Sequence, residues 1–429
     1  MNTSILRRIA GGCGLLLALA ALTACQPTVY LMPTPEALQT GKYDPFALDP
    51  ERNRDNRLIV AYATNRLPAG ARKDRAYLTL FDQDLRLGAA WVSIGGEEMS
   101  WEDLHQVSIS AEREGDIPLR LERAEELARV DGADDAPLSP EAEAFFDAVN
   151  RALADSLDKD LTLYVHGANN NFYRASAQAA QYRHFTGRNS VVMSFAWPSA
   201  ESLLRYAVDV NNARRTVPVF ASLLELLADH TDARRIDVLA YSAGSQVLSP
   251  ALAALAEKYR DEPLAQVRER LRLGEIYFAA PDVEFRGFLE DLAGYVGIPD
   301  HVTVAVNPDD TVLALAAMKH GVSRAGRPDR NELSEEETQW VIKASRELPV
   351  DFIWISASHL PGMARGAHDF WYSHPWVSTD VLIQLLFEAR PADRGLEAED
   401  KSGSSRVWYF PDDYPQRSTQ AIDRLNTQQ

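Results

Sequence analysis

Six short apolar runs alternate with longer segments of helical character through the chain from residue 161 onward. The runs cover residues 161–165, 191–195, 236–240, 276–280, 302–306 and 352–355. A continuous apolar run is typical of a strand buried on both faces, and helices between such strands indicate a parallel sheet. Two earlier runs, residues 58–63 and 89–94, bring the expected number of strands to about eight. We therefore predict an α/β fold with a mostly parallel sheet and helices on both faces.

The N-terminal segment has the pattern of an export signal. Two arginines precede an apolar stretch at residues 9–22, which is too short to span a bilayer comfortably, and small residues then lead to Cys25. We predict a lipoprotein signal peptide over residues 1–24, with Cys25 acylated, for instance by palmitate. The segment resembles those of bacterial lipoproteins, and by that resemblance Gln26 favours sorting to the outer membrane, facing the periplasm. A plain secretory signal or a short membrane anchor are the alternatives.

Composition shifts divide the rest of the chain. Residues 25–56 are rich in proline and polar residues, which predicts a tether between the lipid and the folded body. One domain is expected over residues 57–390, with an acidic, irregular insertion at residues 97–160. Residues 391–429 are mostly polar and are expected to form a surface tail that docks through the apolar cluster at residues 407–410.

Charge and cysteine content exclude several classes of function. Acidic residues outnumber basic ones by 62 to 44, which gives a formal net charge of -18 with no basic run. Nucleic acid is therefore not an expected partner, since phosphate backbones are bound by clustered Lys and Arg. Cys13 and Cys25 are the only cysteines, and Cys13 lies within the predicted signal peptide. No metal-binding or nucleotide-binding motif is present, so we expect no metal and no cofactor.

The sequence Ala240-Tyr241-Ser242-Ala243-Gly244 directly follows one of the apolar runs. A serine among small residues at such a place is typical of a nucleophile elbow, a sharp turn from strand to helix that exposes the serine hydroxyl. A small-residue turn before an ordinary buried helix would look the same. The choice depends on whether a base, an acid and an oxyanion site accompany the serine.

Residues after other runs offer the base and the acid. Ligands bind at the carboxyl ends of parallel strands, and His368 and Asp310 follow the last two runs. A serine hydroxyl needs a neutral imidazole to take its proton, and the imidazole needs a carboxylate to fix its tautomer. We predict Ser242 as nucleophile, His368 as base and Asp310 as acid.

Other side chains compete for these roles. Asp282 and Asp309 are second candidates for the acid, because each also follows an apolar run. His166 is a second candidate for the base, although a structural role in its loop is the simpler interpretation. For the oxyanion we expect the backbone N–H groups of Ala243 and Ala168, with Asn169 as an alternative to Ala168.

Several segments together resemble a family of bacterial α/β hydrolases of unknown function, which are similar to esterases and lipases in fold. The resemblance covers roughly residues 57–390 and rests on Ala63-Thr64-Asn65-Arg66, His166-Gly167-Ala168-Asn169-Asn170, Phe195-Ala196-Trp197-Pro198-Ser199, Tyr206, Asp209, Ala280-Pro281-Asp282, Asp310-Thr311-Val312-Leu313 and His368-Asp369-Phe370. At the elbow, Tyr241 and Ala243 stand where the family commonly has His and Met. The resemblance implies the α/β-hydrolase fold and a serine hydrolase of unspecified substrate.

These patterns favour a serine hydrolase at the cell envelope. The expected substrate is a small-molecule or lipid-like carboxylic ester, cleaved through an acyl-enzyme, and the expected membrane contact is the lipid on Cys25. The alternative is a lipoprotein that keeps the fold without catalysis and acts as a binding or scaffolding module, because fold alone does not prove function.

Overall fold

The computed structural model describes residues 28–47, 54–131, 137–202, 205–399 and 407–427. Within these residues one sheet contains twelve strands. They are β1 (Val29–Tyr30), β2 (Arg57–Ala71), β3 (Asp74–Ile94), β4 (Pro118–Val130), β5 (Leu161–Val165), β6 (Val191–Ala196), β7 (Ile236–Tyr241), β8 (Leu273–Ala279), β9 (His301–Val306), β10 (Val350–Trp354), β11 (Glu397–Ala398) and β12 (Val407–Tyr409). Their order across the sheet is β1-β4-β3-β2-β6-β5-β7-β8-β9-β10-β12-β11.

The centre of the sheet is parallel and buried. All neighbours from β2 through β6, β5, β7, β8, β9 and β10 to β12 run parallel, and every residue of β5, β6, β8 and β9 is buried. The predicted fold class is therefore confirmed. The prediction of about eight strands was too low, because antiparallel strands extend both edges.

Twelve α-helices of the described chain surround this sheet. They are α1 (Trp101–Ser108), α2 (Pro140–Asp155), α3 (Phe172–Phe185), α4 (Tyr206–His230), α5 (Ser245–Lys258), α6 (Leu264–Leu271), α7 (Phe285–Tyr295), α8 (Thr311–His320), α9 (Glu335–Glu347), α10 (Phe370–Ser373), α11 (Pro375–Phe387) and α12 (Tyr414–Asn426). One apolar core joins the sheet to α2, α4, α5 and α7, and a second joins it to α3 and α11. Two cores on opposite faces are what a sheet buried on both faces requires. No described helix is both long enough and apolar enough to cross a membrane.

Residues 28–47 pack against the domain, although the sequence predicts a tether there. Strand β1 pairs antiparallel with β4, and the Leu31 N–H donates to the Ile117 carbonyl at 2.7 Å. Leu31 and Met32 are buried, and the Met32 N–H donates to Gln181 Oε1 on α3 at 2.8 Å. The apolar residues between the prolines fill a gap against α3 and offset the entropy of ordering this segment. Residues 1–24 and Cys25 lie outside the described residues.

The acidic segment at residues 97–160 and the C-terminal residues also contribute to the sheet. The acidic segment contains α1, β4 and the whole of α2, whose N-cap Ser139 accepts the Ala142 N–H. Strand β4 pairs with β3 over its whole length, which the sequence analysis missed. At the other edge, β12 pairs parallel with β10, so the apolar cluster at residues 407–410 docks as a strand.

Candidate active site

A sharp turn places Ser242 at the carboxyl end of the central strand β7. Ser242 has φ of +52°, a left-handed conformation that is strained for a residue with a side chain. Residues Ser242–Gly244 form a short 3₁₀ turn that leads directly into α5. A Cβ on Gly244 would lie 2.6 Å from the Val165 carbonyl oxygen, so this position requires glycine. The strained serine and the required glycine have the geometry of a nucleophile elbow.

The side chains of Ser242, His368 and Asp310 form a continuous hydrogen-bonded chain. Ser242 Oγ lies 2.8 Å from His368 Nε2, and His368 Nδ1 lies 2.7 Å from Asp310 Oδ2. Because a carboxylate only accepts, His368 Nδ1 is the donor to Asp310, and Nε2 faces the hydroxyl whose proton a neutral imidazole can accept. The Asp310 side chain is fully buried and that of His368 is 12% exposed. The arrangement can therefore transfer a proton from the serine to His368.

Two neighbouring turns fix the acid and the base. Asp310 caps α8, because its Oδ1 accepts the Leu313 N–H at 2.9 Å. The loop that carries His368 folds back over the sheet: the Gly366 carbonyl accepts the Thr311 N–H at 3.2 Å, and the Ala367 carbonyl accepts Asn307 Nδ2–H at 2.6 Å. The base is thereby held against the same helix start as the acid.

The other two aspartates lie in different environments. Asp282 is buried and accepts hydrogen bonds from Arg324 Nε at 2.6 Å and from the Tyr206 hydroxyl at 2.8 Å. This carboxylate is therefore committed to an ion pair. Asp309 is exposed, and its backbone N–H donates to the Asn307 side chain. His368 contacts neither of these carboxylates; its Nδ1 faces Asp310.

His166 lies at the base of the neighbouring loop rather than beside Ser242 Oγ. Its ring stacks on Trp197 with centroids 5.3 Å apart, and its Nδ1 donates to the Gly167 carbonyl at 2.7 Å. Burial, with the nearby Arg66 charge adding to it, lowers the pKa of His166 to about 3. The ring stays neutral at physiological pH and supports the loop through packing.

The loop at residues 166–170 comes close to the elbow. A Cβ on Gly167 would lie 2.9 Å from Ser242 Cβ, so glycine permits this approach. In the described part of the chain, the N–H groups of Ala168 and Ala243 have no protein acceptor. Asp209 near this loop is buried, and burial raises its pKa to about 6 although its Oδ1 accepts the Ala200 N–H. Ala168 and Ala243 therefore retain free donors beside the serine, and Asn169 stays the alternative to Ala168.

The loop that follows β6, at residues 197–199, holds the loop at residues 166–170 in place. Trp197 Nε1–H donates to the His166 carbonyl at 2.6 Å, and the Ser199 hydroxyl donates to the Asn170 carbonyl at 2.8 Å. The same Asn170 carbonyl accepts Arg66 Nη2–H at 2.9 Å, although Arg66 is fully buried. Sequence reasoning did not assign Arg66 a role; a buried arginine within a strand sequence is the signal that could have indicated one.

Within the described residues, no group of three or more His, Cys, Asp or Glu side chains could hold a metal ion. The groups brought together at Ser242 are a serine, an imidazole, a carboxylate and backbone donors. Such a set can stabilise an oxyanion and transfer a proton.

Solved structures with distant similarity include esterases. Esterase B from Lactobacillus rhamnosis shares 15% identity, with 54% of this chain and 76% of that chain covered and a TM-score of 0.32. The same enzyme inhibited by a tributyrin phosphonate shares 13% identity over 54% and 76% of the two chains, with a TM-score of 0.33. A lipase-esterase related protein from Clostridium acetobutylicum shares 10% identity over 63% and 93%, with a TM-score of 0.23. Similarity at this level does not identify an activity.

No curated protein matches the chain significantly. A family model described as an alpha/beta hydrolase of unknown function (DUF900) matches residues 141–378. The matched residues make up more than half of the chain and include Ser242, Asp310 and His368. The chain therefore belongs to this family of α/β hydrolases of unknown function.

Proposed function

We propose that the protein is a serine hydrolase that cleaves carboxylic esters through an acyl-enzyme. One observation carries this proposal: the hydrogen-bonded chain from Ser242 through His368 to the buried Asp310. Membership of an α/β-hydrolase family supports the same conclusion. Geometry that links nucleophile, base and acid at the end of a buried strand is the recurring arrangement for acyl transfer.

The residues divide the reaction between them. Ser242 Oγ attacks the ester carbonyl while its proton moves to His368 Nε2, and the oxyanion accepts hydrogen bonds from the N–H groups of Ala168 and Ala243. His368 then gives the proton to the leaving alcohol, and the acyl group stays on Ser242. Water repeats the attack with His368 as base, which releases the acid. Asp310 stabilises the imidazolium in both steps.

A fluorophosphonate probe tests for an activated serine. We expect the folded protein to be labelled, and we expect labelling to be lost in Ser242→Ala and in His368→Ala. Ser245→Ala is the matched control, because Ser245 is buried one turn further along the same elbow and its hydroxyl has no described partner. Absence of labelling in the folded wild type would favour the binding-module alternative, and full labelling of Ser242→Ala would refute the assigned nucleophile.

We also propose that the protein is attached to the outer membrane, facing the periplasm, through acyl chains on Cys25. The basic start, the apolar residues 9–22 and the small residues before Cys25 support this proposal. Metabolic labelling with palmitate should mark the wild type and Cys13→Ser but not Cys25→Ser. Label retained in Cys25→Ser would contradict the proposal.

A further inference from the structure

A groove of about 550 Å³ lies between the N-terminal strand and the start of α3. Residues 28–34 form one wall, α3 contributes Arg174 and Gln178, and Tyr372 contributes from α10. The volume suits a small organic group rather than a single solvent molecule. The groove is therefore large enough to hold part of a substrate.

Contacts link this groove to the candidate active site on two sides. The Tyr372 ring lies 5.7 Å from the Tyr241 ring, which in turn lies 5.3 Å from the His368 ring. On the other side, Arg174 Nη1–H donates to the Asn169 carbonyl at 3.2 Å, one residue after the oxyanion donor Ala168. The groove and the candidate active site thus share the wall formed by Tyr372 and Arg174.

The groove contains arginines without carboxylate partners. Among the described residues, no carboxylate oxygen lies within 4.0 Å of the Arg174 guanidinium. Arg113, also in the groove, donates only to neutral acceptors, which are the carbonyls of Leu31, Met32 and Val107 and the Thr34 hydroxyl. The buried Arg324 and Arg394 of this acidic chain instead have aspartate partners at 2.6 Å, whereas the buried Arg66 also donates to a carbonyl. Unpaired guanidinium groups in a groove are suited to a ligand that brings the negative charge.

Two acidic groups moderate this positive charge without neutralising it. Asp116 lines the groove but is exposed, and Asp369 follows the base His368. Burial raises the pKa of Tyr372 to about 12, Asp369 adds to this rise and Arg174 opposes it. The charge of Arg174 therefore acts on Tyr372, which forms part of the wall between the groove and the active site.

We propose that the groove selects esters that carry an anionic group, a carboxylate or a phosphate, and that Arg174 binds this group. The inference rests on the proposed esterase function, because it names the class of substrate for the same serine. Arg174 at the first turn of α3 adds its charge to the positive end of the helix dipole. The bidentate fork of the guanidinium fits either anion.

Matched pairs of esters test the proposal. On the leaving-group side, 4-acetoxybenzoate and 4-acetoxyphenyl phosphate are compared with neutral 4-acetoxybenzamide. On the acyl side, the 4-nitrophenyl monoester of adipic acid is compared with 4-nitrophenyl hexanoate. The variants are Arg174→Gln, Arg174→Lys and the control Arg120→Gln, which removes an exposed charge from β4 outside the groove. Each variant is compared with wild type on the same substrate, so that intrinsic reactivity cancels.

In Arg174→Gln we expect kcat/KM to fall about 10- to 100-fold on the anionic esters of the leaving-group set, of the acyl set or of both. On the neutral esters we expect kcat/KM to change about 2-fold or less. Arg174→Lys keeps the charge without the bidentate fork and should restore only part of the loss, and Arg120→Gln should change neither class. The larger loss on the carboxylate or on the phosphate ester identifies the preferred anion. Equal losses on anionic and neutral esters would overturn the proposal, since Arg174 would then only position the Asn169 carbonyl. No loss on either class would also overturn it.

Failure of the esterase proposal is recognised separately, by the absence of fluorophosphonate labelling at Ser242. In that case calorimetric titration of 4-hydroxybenzoate and of phenyl phosphate into the wild type and Arg174→Gln decides the anion site directly. Binding of either anion that is lost in Arg174→Gln supports the site. Equal binding of each anion by the wild type and by Arg174→Gln, or no binding of either anion, refutes the proposed anion site.

Discussion

Environment, more than residue type, distinguishes the histidines and aspartates near Ser242. His166 and His368 both follow strands of the parallel sheet, but only His368 has an aspartate on one ring nitrogen and the serine on the other. His166 is stacked and buried, with a strongly lowered pKa. The sequence gives the same residue type in both places, so strand position alone could not separate their roles.

The two buried aspartates provide a direct comparison at the scale of single residues. Asp310→Asn should lower kcat about 10⁴-fold with little change in folding, because an amide at this place favours the wrong imidazole tautomer. Asp282→Asn should instead lower the free energy of unfolding by about 3 kcal/mol or more, because it leaves the buried Arg324 charge unpaired.

Turnover per folded molecule and urea unfolding of both variants separate the two effects. Comparable kcat losses in the two variants would contradict the assignment of the acid. Sequence reasoning left Asp282 open because Arg324, its partner, lies 42 residues further along the chain.

His166 should make the fold sensitive to acid. Its folded pKa of about 3 lies below the unfolded value of about 6.5, so between these pH values the unfolded chain binds the extra proton. Its contribution to stability is present above pH 6.5 and is lost as the pH falls. From about pH 7 to about pH 5 the loss is about 2 kcal/mol.

The measurement is the difference in unfolding free energy between wild type and His166→Gln at the two pH values. We expect wild type to lose about 2 kcal/mol more than the variant on acidification. Equal losses would show that His166 is protonated in the folded protein.

At the scale of elements, strands buried on both faces were predictable and edge elements were not. Each central strand is an apolar run that carries its own signal in the sequence. Strand β4 and the first half of β3 expose many of their side chains, so these sequences mix polar and apolar residues and resemble loops, whereas the buried end of β3 is the predicted run at residues 89–94. Residues 28–47 contain isolated apolar residues among prolines, and only contact with α3 and α11 explains their burial.

The N-terminal strand offers a test of this docking. Leu31→Asp should lower the free energy of unfolding by several kcal/mol, because it places an unpaired charge in the core beside α3. Tyr30→Asp is the control, since Tyr30 is 48% exposed and should change stability by about 0.5 kcal/mol. Urea unfolding of both variants gives the comparison, and equal effects would mean that the segment behaves as a tether.

At the scale of the whole molecule, net charge opposes folding. The formal net charge is -18, so the excess acidic groups repel one another over long distances. Ion pairs such as Arg394–Asp380, in contrast, are fully buried and act at short range. Salt shortens the Debye length from about 30 Å at 0.01 M to about 8 Å at 0.15 M, which weakens the long-range repulsion more than the buried pairs.

We therefore expect Tm to rise when NaCl increases over that range at neutral pH, as measured by calorimetry of the folded protein. Potassium chloride serves as the control for a specific ion effect. A fall in Tm would mean that exposed ion pairs outweigh the net repulsion.

The docking of residues 28–34 also limits how far the folded domain can lie from Cys25. An extended residue spans at most about 3.6 Å, so only about 11 Å of chain separates Cys25 from Thr28, which lines the groove. With acyl chains on Cys25, the groove would stay close to the bilayer surface, at a depth where lipid headgroups are found. On the proposed function, an ester carried by a membrane lipid would then reach the site by lateral diffusion in one leaflet, and its effective concentration would be a surface density rather than a volume concentration.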